Sequence, residues 1–355
     1  NHLGLACDDL GEVQRAAGHL AHALTILREL GDRHGEGVVL GNLGNTCRNL
    51  GDPLQAIMLF QEAIAISREI GDRRNEAADL GNIANAYHEL GKTEQALHYL
   101  EQALAIHREI GDRHSEGLSV GNLGNLYRAL GQNRNAQHFL EQALAIHRAI
   151  SDRSGEANAL GNLATVYFET GDSQQALNYY EHALMIHREI GDRRGEGNSL
   201  NNLGVVYRQL GDTKKAIAYY QQTLELRQTT GDRVQQADAH GNLGTAYLQL
   251  GDAPRAFEHY RQALILHQET GNTPGFALSL FNLAAFYVKQ GNTARALPLA
   301  RDAARLFAQT GRSADQAQQL IAHIEAGREP DGGPTSDEIL DRLGPVIMAA
   351  AAAAQ

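Results

Sequence analysis

An all-α array of stacked helix pairs is the fold class this sequence predicts, and three observations predict it. The chain repeats itself at a step of forty residues: Leu80, Val120, Leu160, Leu200 and Leu280 echo Leu40, and Asn82, Asn122, Asn162, Asn202, Asn242 and Asn282 echo Asn42. Ala96, Ala136, Ala176, Ala216, Ala256 and Ala296 likewise echo Ala56. A period of about 20 to 50 residues marks a solenoid. Within each copy, apolar residues follow helical i, i+3, i+4, i+7 spacing in two runs. Each run closes on Gly and is followed by a capping residue, the stop and start signals of consecutive helices. A chain of 355 residues would otherwise suggest about two or three domains. A stack grows by adding units and needs no single core, so the repeat overrides that expectation.

Within one copy the first helix is expected over about Gly35 to Leu50, with Leu40, Leu43, Gly44, Cys47 and Leu50 on its buried stripe. Gly51 ends it in the left-handed conformation, a slot shared by Gly11, Gly91, Gly131, Gly171, Gly211, Gly251 and Gly291. Asp52 then caps the second helix, and Pro53 takes its first position, where a missing N–H costs nothing. Ala56, Phe60, Ala63, Ile64, Ser67 and Ile70 are the expected buried face of that helix. Gly71 stops it, and Asp72 caps the next copy. Glu36, Glu76, Glu116, Glu156 and Glu196 fall in the following first turn, where negative charge suits the helix dipole.

The small and aromatic residues Leu43, Gly44, Cys47, Ala56, Phe60 and Ala63 resemble the pattern of tetratricopeptide (TPR) repeats. The resemblance covers about residues 1 to 312 and implies that Gly44 lets paired helices approach while Ala56 and Ala63 admit bulky neighbours. The forty-residue copy, with its N-L-G-N core and I-G-D-R turn, is similar to the repeats of LGN/Pins adaptors. It is also similar to those of kinesin light chains and of bacterial NB-ARC-type signalling ATPases. In the eighth copy Phe276, Phe281, Phe286 and Val288 replace smaller or polar residues, and an amphipathic helix over Ala314 to Ala326 is expected to cap the stack. Arg328 to Pro334 reads as a linker. Thr335 and Glu338 open a short helix through Leu343, and the Ala349–Ala354 tract carries no signal. The chain starts at Asn1 inside the first copy and is expected to be a fragment.

Net charge is −11, which opposes a general affinity for nucleic acid or anionic membrane. No apolar run approaches the roughly 18 to 20 residues that cross a bilayer. Cys7 and Cys47 lie one copy apart, at positions where later copies carry Tyr. Stacked helices are separated by about 8–10 Å, beyond disulfide reach, so both read as buried thiols in a reducing setting.

Asn42 and its equivalents sit on the first helix beside Gly41, Gly81, Gly121, Gly161 and Gly241. A mid-helix Gly costs about 1 kcal/mol relative to Ala. Two readings explain its recurrence. In one, first helices line a concave surface where Asn42, Asn82, Asn122, Asn162, Asn202 and Asn242 bind the backbone of an extended peptide. In the other, each Asn bonds to the adjacent repeat and each Gly permits close packing. A second row, Asn45, Asn85 and Asn125, fades to Thr165, Val205, Thr245 and Ala285. One turn further lie the non-repeating Arg48, His88, Arg128, Phe168, Arg208 and Leu248; variation on a repeated scaffold is where partner selection would be written, with Arg48, Arg128, Phe168 and Arg208 as its carriers.

Arg28, Arg68, Arg108, Arg148 and Arg188 end the second helices, where they suit the dipole and are expected to pair with Glu29, Glu69, Glu109 and Glu189. Joined by Arg33, Arg73, Arg113, Arg153, Arg193 and Arg233 they could form an anion-binding edge, which the interleaved Asp32, Asp72 and Asp112 oppose. His107, His147, His187 and His267 lie a full copy apart, too far to share zinc, and are expected to be exposed. His19 and His22 are near enough to share an ion but have no evident third ligand. Gly91-Lys92-Thr93 imitates the end of a phosphate-binding loop, yet Ala86 stands where that motif needs Gly, and no strand precedes it.

The combined reading is a right-handed TPR superhelix of about eight antiparallel helix pairs over residues 1–312. A capping helix (313–327), a linker (328–334) and a short helix with an Ala-rich tail (335–355) complete it. The expected job is to hold a protein or peptide segment in the concave groove, in the cytoplasm, without enzymatic activity, cofactor or metal, and without nucleic-acid or membrane partners. Two further readings remain open. One is a ligand-sensing regulatory arm of a larger signalling ATPase, touching an upstream domain missing from this fragment. The other is a self-assembling array.

Overall fold

The structure, a computed structural model, describes residues 13–311 and 313–326, and the short helix expected after Thr335 lies outside them. The described residues form sixteen α-helices and no strand. They are α1 (Val13–Leu30), α2 (Arg33–Asn49), α3 (Pro53–Ile70), α4 (Arg73–Glu89), α5 (Thr93–Glu109), α6 (Arg113–Ala129), α7 (Asn133–Ala149) and α8 (Arg153–Glu169). The remainder are α9 (Ser173–Ile190), α10 (Arg193–Gln209), α11 (Thr213–Thr230), α12 (Arg233–Leu250), α13 (Ala253–Glu269), α14 (Thr273–Lys289), α15 (Thr293–Gln309) and α16 (Asp315–Ala326). Seven complete pairs, from α2/α3 to α14/α15, thus lie between α1 and α16 among the described residues. The chain divides into two compact units, Asn1–Ile186 and His187–Gln355, each a stack of such pairs.

The turn chemistry is the one the sequence implies. Gly51 takes φ 83° and Gly71 φ 74°, conformations that cost an L side chain energy. Among the described residues Ser151 alone adopts such a φ (57°) without being Gly. Asp52 accepts from the Gln55 N–H at 3.0 Å and Asp72 from Asn75 N–H at 3.1 Å, so each turn ends in a capped helix. Gly91 sits in the ordinary α4–α5 turn with φ 72°, which removes the phosphate-loop reading.

Packing follows the small-against-large rule. A Cβ placed on Gly44 would sit 2.6 Å from Phe60 Cε1, one on Gly124 2.7 Å from Leu140 Cγ, and one on Gly244 2.7 Å from Tyr260. Ala56, Phe60, Ala63 and Ile64 are buried, as are Ile57 and Ile66, which the stripe did not include. Leu50 and Ile70 prove exposed (47% and 40%): Leu50 follows the last helical residue Asn49, and Ile70 is the final residue of α3, where the stack no longer covers it. Cys47 is a free, half-buried thiol, and burial pushes it up from its ordinary range. Cys7 lies outside the described residues.

Several of the tyrosines that replace Cys47 stack on an aromatic from the second helix of the same pair. Tyr87 meets Tyr99 at 5.3 Å between ring centres, Tyr127 meets Phe139 at 5.2 Å, and Tyr207 meets Tyr219 at 5.4 Å. Across the intervening helix, first helices approach the next first helix (α2 with α4, α6 with α8, α12 with α14) more closely than second helices approach second helices. That puts the first helices on the inside of the local bend in each unit. α16 buries Ala317 and Ile324 and packs against α15.

Candidate functional site

The ladder lies where a partner could reach it. Asn42, Asn82, Asn162, Asn202 and Asn242 are half-buried on their first helices, and Asn122 is exposed. Some of their hydrogen-bonding capacity is used within the stack. Asn242 Nδ2 donates to Asn201 Oδ1 of the preceding first helix at 2.7 Å. Asn82 donates to Asp79, a buried carboxyl that burial pushes up to about 7 against the pull of that hydrogen bond.

The glycines beside the ladder separate the two readings of it. Only Gly41 meets a close neighbour, with its would-be Cβ 2.8 Å from Asp79 Oδ1, and Gly121 would find Ala143 at an ordinary 3.7 Å. A Cβ on Gly81, Gly161 or Gly241 would meet nothing within 4 Å. The interior of the fold does not require these three to be small. They leave open space above the helix.

The predicted selector row is partly committed to neighbouring repeats. Arg48 Nε lies 3.5 Å from Glu89 Oε1, and Arg128 Nη1 lies 2.6 Å from Glu169 Oε1, each Glu belonging to the next first helix. Arg208 faces the buried Tyr220 hydroxyl without a hydrogen bond of good geometry, and burial raises that hydroxyl's pKa with Arg208 opposing. Phe168 is half-buried. In the second row Asn85 is exposed, while Asn45 and Asn125 are half-buried and Asn125 Oδ1 has no hydrogen-bond partner among the described residues. A row that the sequence reading missed stands four residues before the ladder: Leu118, Asn158, Asn198, Asp238 and Leu278. Four of these are exposed and Asp238 is half-buried. Their failure to repeat on a repeated face was the available signal.

In the unit His187–Gln355 the face deepens into a cleft of about 350 Å³. Asn201, Asn242 and Asn282 from three successive first helices line it, with Asp238 and the 43%-exposed Leu278 beside them. Thr223 and the buried His267 contribute from the second helices. Its chemistry combines amide donors and acceptors, one carboxylate and one apolar contact. That suits a peptide backbone and its side chains.

The charged residues assigned to the helix ends turn out to be architecture. Arg28 Nε and Arg33 Nη1 donate to the two oxygens of buried Glu36 at 2.8 and 2.6 Å. Arg148 and Arg153 hold Glu156 at 2.8 and 2.6 Å, and Arg188 and Arg193 hold Glu196 at 2.8 and 2.9 Å. Glu76 and Glu116 are gripped the same way. The expected pairing with Glu69 and Glu109 gives way to these clamps, and those acids pair instead with Arg33 and Arg73 at the start of the first helix of their own pair. The Arg28 hydrogen bond lowers the Glu36 carboxyl, burial working against it and Arg33 helping. Each clamp ties the end of one pair to the start of the next. The arginines are therefore committed to carboxylates.

The histidines correct the sequence reading more sharply. His107, His147, His187 and His267 are buried, none more than 6% exposed. They close the end of a second helix against the following turn: His147 Nδ1 lies 2.8 Å from Asp152 Oδ2 and His187 Nδ1 2.9 Å from Asp192 Oδ2. Gly155 and Gly195 make room for those rings. No third ligand joins His19 and His22 among the described residues.

A family model for the tetratricopeptide repeat matches residues 1–69, 36–109, 75–149, 116–189, 155–229 and 231–309. This chain belongs to the tetratricopeptide repeat family. No curated protein sequence matches the TPR chain significantly. Among solved structures, a Signal Transduction ATPase with Numerous Domains (STAND) protein with a tetratricopeptide repeat sensor, from Pyrococcus horikoshii, is similar at TM-score 0.62 and 19% identity. The match covers 89% of this chain and 50% of that one, so the TPR chain spans half that protein's length. Aspartyl phosphate phosphatase F from Bacillus subtilis gives TM-score 0.61 at 16% identity, over 88% of this chain and 77% of that one. BtubC (BKLC) from P. vanneervenii gives 0.55 at 21%, over 62% and 92%. At such identities the likeness shows the fold alone. The matching family describes a repeat rather than a catalytic domain, and its fold is that of a protein-interaction scaffold. No helix among the described residues is long and apolar enough to cross a membrane.

Proposed function

We propose that this TPR array holds an extended protein segment against the first-helix face of a unit, with Asn82, Asn122 and Asn162 meeting its backbone in Asn1–Ile186, or Asn202 and Asn242 in His187–Gln355. The observation that carries this reading is the open space above Gly81, Gly161 and Gly241. A mid-helix Gly sacrifices about 0.5–1 kcal/mol of helix stability. Interior packing gives no return for that loss at these three positions, whereas a peptide backbone lying on the helix would. Arg128, Phe168 and Arg208, with Leu118 and Leu278 from the row before the ladder, then select side chains. Residues that repeat supply affinity for any backbone, and residues that vary supply preference.

The Gly81→Ala/Gly161→Ala/Gly241→Ala variant tests this, because the two explanations of glycine predict opposite signs. Peptides selected from a random library on the wild-type chain are the probe. The variant should melt at a higher temperature, by roughly 0.5–1 kcal/mol of stability per site, and bind the selected peptides at least tenfold more weakly. Equal binding by both chains would remove the peptide from this face. A lower melting temperature would return the glycines to architecture.

A further inference from the structure

One repeat boundary in the unit Asn1–Ile186 gathers a group of side chains that no other boundary among the described residues gathers. His114 in the first turn of α6, His147 at the end of α7 and Asp152 at the cap of α8 each turn a ligand-type atom to one point, all within 4.8 Å of one another. His114 Nδ1 and His147 Nδ1 lie 3.1 and 2.8 Å from the same Asp152 Oδ2. The two rings stand 6.2 Å apart at 75°, so neither blocks the other's approach. Asp152 spends Oδ1 on the Gly155 N–H at 2.9 Å, which leaves Oδ2 for another task.

We propose that His114, His147 and Asp152 form a binding site for a divalent transition-metal ion of the zinc class. Zinc takes imidazole nitrogen and carboxylate oxygen at about 2.0–2.2 Å. Tetrahedral ligand atoms around such an ion lie roughly 3.3–3.6 Å apart. The two His–Asp separations need to open by only about half an ångström to admit it. Burial grades across the site, from 4% side-chain exposure at His147 through 16% at Asp152 to 59% at His114. Two ligands are thus held rigidly, the third closes from solvent, and the fourth position opens outward to water or to a donor side chain of a partner. The ion would join three consecutive helices across a repeat boundary.

The other boundaries act as internal controls. His34 faces Asp72 at 3.2 Å, but Ser67 occupies the place of His147. His187 faces Asp192, but Ser154 occupies the place of His114. His107 and Asp112 have Arg74 in that place, its Nη2 4.0 Å from Asp112, and a cation there opposes a metal. The His–Asp contact alone therefore serves the turn. His114 is what makes a third ligand.

The experiment uses the full chain without a histidine tag, stripped with a chelator and titrated with Zn²⁺ by calorimetry and with Co²⁺ by visible absorption. Wild type should bind one equivalent saturably, show the absorption of low-symmetry four- or five-coordinate cobalt, and melt higher with Zn²⁺ present. His114→Ser copies Ser154 and should keep the fold while weakening binding by more than about tenfold, the scale that even outer-shell partners of metals command. Asp152→Asn copies the Asn272 cap and should weaken it likewise. Absence of a saturable equivalent in wild type, or unchanged binding in folded His114→Ser, would overturn the site.

Discussion

The boundary at Glu156 and the boundary at Gln236 occupy the same place in the repeat, one in each unit, and are built on different physics. At the first, Arg148 and Arg153 close on a buried carboxylate, and His147 fills the neighbouring slot. At the second, Gln228 and Gln236 stand where Arg148 and Glu156 would, and Arg227 replaces the histidine. Arg227 is only 2% exposed, and its Nη2 donates to Asn198 Oδ1 at 2.6 Å and to the Arg194 carbonyl at 3.2 Å. Its closest carboxylate, Asp232, is 3.9 Å away and 37% exposed. Burial accordingly lowers the guanidinium's pKa, with Asp232 pulling the other way. Beside this boundary, which gives up its clamp, Thr223, one turn before Arg227, lines the cleft together with Gln235 and Asp238 of the following helix. Departure from the repeat thus marks the place to look for function.

The largest effect should come from breaking a clamp. Glu156→Ala leaves two guanidiniums facing a vacated carboxylate site, although both are partly exposed and regain water. A loss of about 2 kcal/mol is expected, below the 3–5 kcal/mol of fully buried pairs. The urea midpoint followed by circular dichroism reads it, and an unchanged midpoint would mean that the clamp is ornamental. The converse change should be smaller and of opposite sign. Arg227→His with Gln228→Arg and Gln236→Glu rebuilds the clamp and relieves a buried cation, for a gain of about 1–2 kcal/mol. The binding of any peptide that uses the cleft should fall in the same variant, since the lining residues Thr223 and Gln235 lie one turn from Arg227 and next to Gln236. A stabilised chain with intact binding would separate the clamp from the cleft.

The fold was legible because its signals are local and repeated: Gly51 and Gly71 in left-handed turns, Asp52 and Asp72 as caps, and Gly44 beneath Phe60. The clamps were hidden by distance along the chain. Arg28 and Glu36 are eight residues apart across a turn, so an expectation built on adjacent helical positions gave Arg28 the wrong partner. Burial of His147 escaped notice because a polar residue next to the charged Arg148 near a helix end looks solvated in one dimension. The placing of Asn42 to Asn242 on successive first helices was readable from the period alone. What each Asn does was not readable, since the bond from Asn242 to Asn201 depends on a one-residue offset between neighbouring helices.

The smallest expected effect belongs to a second departure from the repeat in the cleft-bearing unit. His240 stands where other copies carry Leu40, Leu80, Leu160, Leu200 and Leu280, and it contacts His259, with Nδ1 atoms 2.9 Å apart and rings 5.1 Å apart. Burial, reinforced by His259, pushes His240 down to about 4, and burial lowers His259 as well. A base whose folded pKa lies below its unfolded value of about 6.5 binds fewer protons folded than unfolded between those limits. Its stability contribution is therefore intact above pH 6.5 and declines as pH falls toward 4. The Glu36 clamp, with a depressed carboxylate, has the same sign but a lower window, losing its contribution only below about pH 4.5. His240→Leu should leave the chain nearly unchanged at pH 8 and stabilise it by about 1 kcal/mol at pH 5.5. Hydrogen exchange of α12 and α13 amides, compared between the two proteins at each pH, measures this where it should appear. An equal gain at both pH values would assign the effect to packing of the leucine, and no gain at pH 5.5 would show that the pair is not the acid-sensitive element of this unit.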